Sequence, residues 1–352
     1  MLKPFRGSRL VDGLFVFAPL SLALSFLGAA PLWVFVAAAL AMVPATRLLA
    51  ATTESIAARS GNLGSSLVNA TFGNAIELLI AFFAIRAGLL DVVRASIIGS
   101  IVLNILLLIG LSMVAGGLKF KEQRFNTTAA GVSSTMLLLA VAGLALPSLY
   151  SLTQRAPPLA MSEAVSTVLA FIYLLGLAFT LVTHRHLFVA PRVAPDERQP
   201  RYGYRAATIL LLVSVGIIAL ESHLFVGAIE PASQELGLSP TFIGLVVIAI
   251  LTNLPEHMAA LTFARRNNVD LSLSIGLNSA IQIALFVVPL MVLISLVVGN
   301  PLHLVFNPFE LVSLILAVVI VNYLSSDGVC NWLEGAQLIA MYLLIVIALF
   351  FV

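Results

Sequence analysis

Two carboxylates sit where a charge is hardest to keep. Glu77 lies in the middle of an apolar run at 62–86, and Glu256 in the middle of another at 240–264. A carboxylate at the centre of a membrane helix costs roughly 2.5–3.5 kcal/mol on insertion scales, so an intramembrane acid is read first as a functional group. The chemistry open to it is proton binding, cation ligation, or both in turn. Gly73 and Asn74 precede Glu77 by one helical turn, as Asn253 and Pro255 precede Glu256. Glycine and proline open the backbone ladder, and the freed carbonyls then face a cavity instead of lipid. Carbonyls, asparagine oxygens and carboxylates are hard ligands, and calcium accepts about six to eight of them at roughly 2.3–2.6 Å in flexible geometry. The purely structural alternative is a protonated glutamate hydrogen-bonded between helices. Thr71 and Thr252 offer hydroxyls, although intramembrane threonines commonly bond back to their own helix.

A second set of polar residues follows each acid. Ser100 and Asn104 are spaced i, i+4, and Asn278, Ser279 and Gln282 are spaced i, i+1 and i+4, so each set points to one side of an otherwise apolar helix. They are read as cavity-lining, with helix–helix packing as the alternative. His257 directly follows Glu256 and is placed with the cavity as a group that tunes protonation; a ring satisfied between helices is the simpler account. Glu54 and Glu230 stand 23 and 26 residues before Glu77 and Glu256, and are read as gates at the two mouths or as ordinary helix-end charges. A single cysteine, Cys330, excludes an intramolecular disulfide framework and a cysteine-based metal site.

The elements that must position these groups are membrane helices. Of the 352 residues 61% are hydrophobic and 10% charged, with a mean hydropathy of +1.10, whereas soluble domains carry roughly 25% charged residues. A net charge of +2 gives no footprint for nucleic acid. Spanning the hydrocarbon takes about 20 apolar residues, and eleven such stretches run over 11–29, 31–58, 62–86, 91–116, 127–147, 162–183, 204–235, 240–264, 270–298, 308–325 and 332–351. The runs are continuous and not alternating, which predicts helices and not a barrel. With the N-terminus in the cytoplasm, Lys3, Arg6, Arg9, Arg47, Arg59, Lys119, Lys121, Arg124, Arg185, Arg192, Arg198, Arg201, Arg205, Arg265 and Arg266 collect on that side. Only Arg86, Arg94 and Arg155 of the 18 Lys and Arg remain opposite, the bias that sets topology.

The chain also repeats itself. Asn74 falls on Asn253, Glu77 on Glu256, Arg86 on Arg265, Asp91 on Asp270 and Ser100 on Ser279, at one offset of 179 with no gap. Five spans per repeat reverse the second copy relative to the first, with the site near the midplane. The expected fold is thus an all-α membrane protein of eleven transmembrane helices, one N-terminal helix (1–30) plus two inverted five-helix repeats (31–183 and 204–352). A proline-rich cytoplasmic linker at 184–203 joins them, holding Pro191, Pro195 and Pro200.

On these residues the chain resembles the calcium/proton exchanger family of the calcium/cation antiporter superfamily. GNAIEL at 73–78 and VRASIIGSIVLNILLLIG at 93–110 are similar to the family's first repeat motif, 255–289 to the second, and SSDGVCNWLEGAQL at 325–338 to the final hairpin. The second motif departs from the pattern, with Thr252-Asn253-Leu254 and Pro255 where Gly-Asn-Ala is usual, a change that bears on backbone geometry and ion preference. The linker lacks the acidic run of many members, and with it a candidate calcium-sensing element. The resemblance implies that Glu77 and Glu256 bind cation or protons by turns, with calcium as transported ion, no cofactor and no enzymatic activity. The partners it implies are calcium, protons and the lipid bilayer; self-association into a homo-oligomer is open. The short N-terminus suggests the cell membrane of a prokaryote. The same oxygen-only site admits sodium, potassium or manganese exchange. An intramembrane enzyme is disfavoured, because the adjacent Glu256 and His257 point to different faces of a helix.

Overall fold

The computed structural model describes residues 8–153, 158–184, 187 and 201–351. Arg155, most of the linker with Arg185, Arg192 and Arg198, and Lys3 and Arg6 lie outside the described residues. The chain is helical almost throughout. The first four helices are α1 (Val11–Phe26), α2 (Pro31–Ala57), α3 (Gly61–Gly73) and α4 (Ala75–Arg86). They are followed by α5 (Leu90–Gly117), α6 (Thr127–Ser151) and α7 (Leu159–Thr183). Beyond the linker come α8 (Tyr204–Gly227), α9 (Ile229–Leu236), α10 (Pro240–Thr252) and α11 (Leu254–Ala264). The last three are α12 (Val269–Val298), α13 (Pro308–Leu324) and α14 (Trp332–Phe350). Two short strands, β1 (Gln123–Arg124) and β2 (Val329–Cys330), pair antiparallel, with Gln123 opposite Cys330.

Among the described residues seven helices are long and apolar enough to cross a membrane: α2, α5, α6, α7, α8, α12 and α14. The α9–α10 pair makes an eighth if its 110° bend is counted as one span. The other apolar stretches are short or interrupted for local reasons. The run at 62–86 stops being helical at Asn74 and the run at 240–264 at Asn253, while α1 and α13 are shorter apolar helices. Helix starts follow the sequence closely. Asn307 accepts from the Glu310 amide while the Glu310 carboxylate accepts from the Asn307 amide, a reciprocal cap that Asn331 and Glu334 repeat on α14. Glu310, which the sequence leaves without a role, is thereby explained as an end cap, while Asp327 accepts from the Val329 amide in the turn that leads into β2.

The same offset of 179 carries α3 onto 240–252, the bounds of α10, and Ala75–Arg86 onto 254–265, one residue beyond α11. It also carries a π-helical turn at Leu103–Leu108 within α5 onto 282–287, one residue longer than the π-helical turn at Ile283–Val287 within α12. Such turns widen a helix and loosen its carbonyls, and they favour functional positions.

Packing divides the chain into two units, Met1–Gly88 with Arg192–Ile243, and Leu89–Pro191 with Gly244–Val352. In the first, α2 lies along α8. Phe35 stacks on Phe225 with centroids 4.5 Å apart, and a lining of Ala37, Ala38, Ala41 and Ala45, all buried, lets the helices approach. In the second, α5 is the central helix, with 83% of its apolar window buried. Glycines allow it close neighbours. A Cβ on Gly99 would lie 2.1 Å from the Leu245 carbonyl oxygen of α10, and Gly110 faces Gly335 of α14 with backbone nearly in contact.

Candidate functional site

In the first unit the chain leaves α3 and re-enters a helix at α4 through one residue. Asn74 has φ −105° and ψ 18°, outside the helical region, so it caps one helix and opens the next. Its side chain donates to the Ala70 carbonyl at 3.0 Å, which holds the amide against the end of α3. Glu77 then falls in the first turn of α4, where unpaired N–H groups and the helix dipole favour negative charge. It is buried, flanked by Ile76 and Ile80. A side chain on Gly73 would meet nothing, so close packing does not demand glycine there. Glu54, near the end of α2, and Glu230, in the first turn of α9, are both exposed.

In the second unit the same break recurs at Asn253, with φ −98° and ψ 10°. The departure from Gly-Asn-Ala therefore leaves the backbone unchanged. Pro255 sits at the start of α11, where its missing N–H would have had no partner. Around Asn253 the structure gathers several of the residues singled out by spacing. Asn104 donates to the Asn253 side-chain oxygen at 2.7 Å and to Ser279 at 2.9 Å, and Asn253 donates to Ser100 at 3.2 Å. Three helices, α5, α12 and the α10–α11 break, are thus tied through buried amides and hydroxyls. Thr252 joins by accepting from Asn253 at 3.0 Å while lying 3.4 Å from its own Ala249 carbonyl. Gln282 is half-buried, whereas Asn278 is exposed and stands apart from this network.

Glu256 occupies the first turn of α11, as Glu77 does in α4. His257 folds back, its Nδ1 2.8 Å from the Asn253 carbonyl, so its ring is held by its own helix. Three buried atoms in this neighbourhood lack a hydrogen-bond partner among the described residues: Asn104 Oδ1, Glu256 Oε2 and His257 Nε2. A buried acceptor left unpaired costs about 1–3 kcal/mol, and unpaired oxygens are what a cation or a proton satisfies. No three acidic, histidine or cysteine side chains gather into a metal cluster among the described residues. A cation held here would rest largely on amide, hydroxyl and carbonyl oxygens, a donor set that suits calcium more than a transition metal.

One buried acid escaped the sequence reading. Glu221 lies inside α8 with no exposure, and Ser21 of α1 bonds its Oε2 at 2.8 Å. The signal was present, an acid inside the 204–235 run, but the repeat places Met42 opposite it and so lent it no partner.

The sequence model of the family described as "Sodium/calcium exchanger protein" matches residues 30–182 and 206–351. The Ca(2+)/H(+) antiporter of Synechocystis sp. is 40% identical over 358 residues, covering 96% of each chain. The vacuolar calcium ion transporter of Schizosaccharomyces pombe is 35% identical over 358 residues, covering 100% of this chain and 87% of that one. Among solved structures, the Ca2+/H+ antiporter YfkE superposes with a TM-score of 0.85 at 31% identity, over 98% of this chain and 100% of that one. The H+/Ca2+ exchanger CAX, at 16% identity and a TM-score of 0.75 over 98% of this chain and 88% of that one, shares the fold. These relatives are transporters and not enzymes. By the span of the family match and the identity to these relatives, the chain belongs to the sodium/calcium exchanger family, on its calcium/proton antiporter branch.

Proposed function

We propose that this protein is a secondary active antiporter that exchanges calcium for protons by alternating access, with Glu77 and Glu256 as the carboxylates that bind cation or protons. The observation that carries the reading is the recurrence, 179 residues apart, of an asparagine at a helix break followed three residues later by a glutamate in the first turn of the next helix. Cation binding needs ionised carboxylates, so protons and a divalent ion compete for the same oxygens. Occupancy becomes an either-or choice, which coupled exchange requires. Asn74, Asn253, Gly73 and Thr252 belong to the binding region on this reading, Ser100, Asn104, Asn278, Ser279, Gln282 and His257 to the cavity, and Glu54 and Glu230 to the mouths.

The arrangement goes with eleven spans, one plus two inverted sets of five, a cytoplasmic N-terminus and the cell membrane of a prokaryote. Support comes from the shared helix bounds at the 179 offset and from the charge bias of the loops. The test is a flux assay in proteoliposomes under an imposed pH gradient, scanned across cations. Calcium should move against the proton gradient and dissipate it. Calcium flux driven by a sodium or potassium gradient, with no proton movement, would replace the reading with a different coupling ion.

A further inference from the structure

α1 is built mainly of leucine, phenylalanine and alanine, yet the one residue of Phe17–Phe26 that is buried is a serine. Ser21, with no exposure, is aimed at Glu221 of α8, equally buried. The contact has a proton count that can be worked out. Ser21 Oγ lies 2.9 Å from the Ala18 carbonyl and 2.8 Å from Glu221 Oε2. A hydroxyl has one hydrogen to give and two lone pairs to accept with. With Ser21 as donor to both, its single hydrogen is shared; each contact has a hydrogen of its own when Ser21 donates to Ala18 and accepts from a carboxylic acid, Glu221 Oε2–H. An ionised Glu221 would leave the two contacts to share one hydrogen, and its other oxygen, Oε1, is buried with no partner among the described residues.

The surroundings offer a charge nothing. Next to Glu221 on α8, Ser222 turns to the Met42 sulfur, and one turn on Phe225 stacks on Phe35. The elements packed against α8 carry Arg47 and Glu54 on α2, Glu77 and Arg86 on α4, Glu230 and Glu235 on α9, and no titratable group on Phe17–Phe26 of α1; α8 itself adds Arg205 and His223. Among the described residues none of these forms an ion pair with Glu221. A lone carboxylate in such a place costs several kcal/mol and takes up a proton instead.

We propose that Glu221 is a further proton-binding site, holding its proton through Ser21 and sealed by α1. Release of that proton is tied to separation of α1 from α8, because only then does water reach the carboxylate. The site is independent of the exchange reading, and it puts the N-terminal helix in contact with the protonation state of the protein.

Infrared difference spectroscopy of the full-length protein tests this without any transport assay. The carbonyl stretch of a protonated carboxylic acid should be present at neutral pH, and Glu221→Gln should remove one group's worth of it. Ser21→Ala, a small change on α1, should shift that band without removing it. A Glu221→Gln spectrum that overlays the wild type in the carboxylic-acid region shows the group ionised and overturns the proposal. So does a band that Ser21→Ala leaves unmoved.

Discussion

Glutamine in place of Glu77 or Glu256 keeps the volume and one oxygen but takes away the charge and the titrating proton. If both acids are needed to bind the cation or protons, Glu77→Gln and Glu256→Gln should each reduce proton-coupled calcium flux to background, with the protein still folded and inserted. The double variant should be no worse than either single one, because residues acting as a unit are non-additive. Near wild-type flux in either single variant would refute the assignment. Asn253 plays a different part, tying Ser100 and Asn104 to the helix break. Asn253→Ala strands buried partners, so a loss of about 1–3 kcal/mol is expected, read as a lower melting temperature in detergent. Glu54 and Glu230 are exposed, and if they draw cations to the mouths, Glu54→Gln and Glu230→Gln should each raise the apparent KM on one side with maximal flux intact; unchanged KM on both sides would leave them ordinary helix-end charges. At this scale the paired acids and asparagines were legible, since each is a polar residue in an apolar run. It hid the bonds among Asn104, Asn253 and Ser279, because nothing in the spacing of one helix names its partner on another.

Where a helix breaks was legible, and where it widens was not. Gly73, Asn74, Asn253 and Pro255 are punctuation that shows against leucine and isoleucine. The π-helical turns at Leu103–Leu108 and Ile283–Val287 are apolar but for Asn104, and so short a run holds no repeating polar residue whose phase could slip visibly. The crossing of α5 and α10 makes a sharper element-scale prediction. The Cβ of Gly99→Ala would meet the Leu245 carbonyl oxygen at 2.1 Å, backbone that cannot swing aside. Overpacking of this kind costs about 1–3 kcal/mol or more. Gly131→Ala on α6, where a Cβ meets nothing within 4 Å, should leave stability equal or slightly raised. Thermal unfolding of the two variants side by side checks the contrast, and equal melting points would show the crossing to be looser than described.

For the whole molecule, sidedness is the property most open to direct measurement. Cys330 is buried, and burial, then the Glu334 and Asp327 carboxylates, push its thiol up to about 12, so it gives little background to thiol reagents. Arg198→Cys and Gln154→Cys, one in the linker and one in an opposite loop, should label from opposite faces of sealed vesicles, the first only from the cytoplasm. Labelling of both from one face would sink the eleven-span topology. The membrane class was plain from composition, but the grouping of helices was not, because the repeat is a symmetry of sequence while each packing unit draws on both sides of the linker. That mixed membership has a consequence in time. α2 emerges from the ribosome long before α8, the helix it lies along, a delay on the order of 10–30 s at about 5–20 residues per second. Through that interval its alanine-lined face must rest on lipid, which such a small, apolar surface tolerates, and Ser21 waits for the acid it will meet. Neither half of the chain can finish its own core alone, so half-chains expressed separately should be degraded, and half-chains made together should rescue each other.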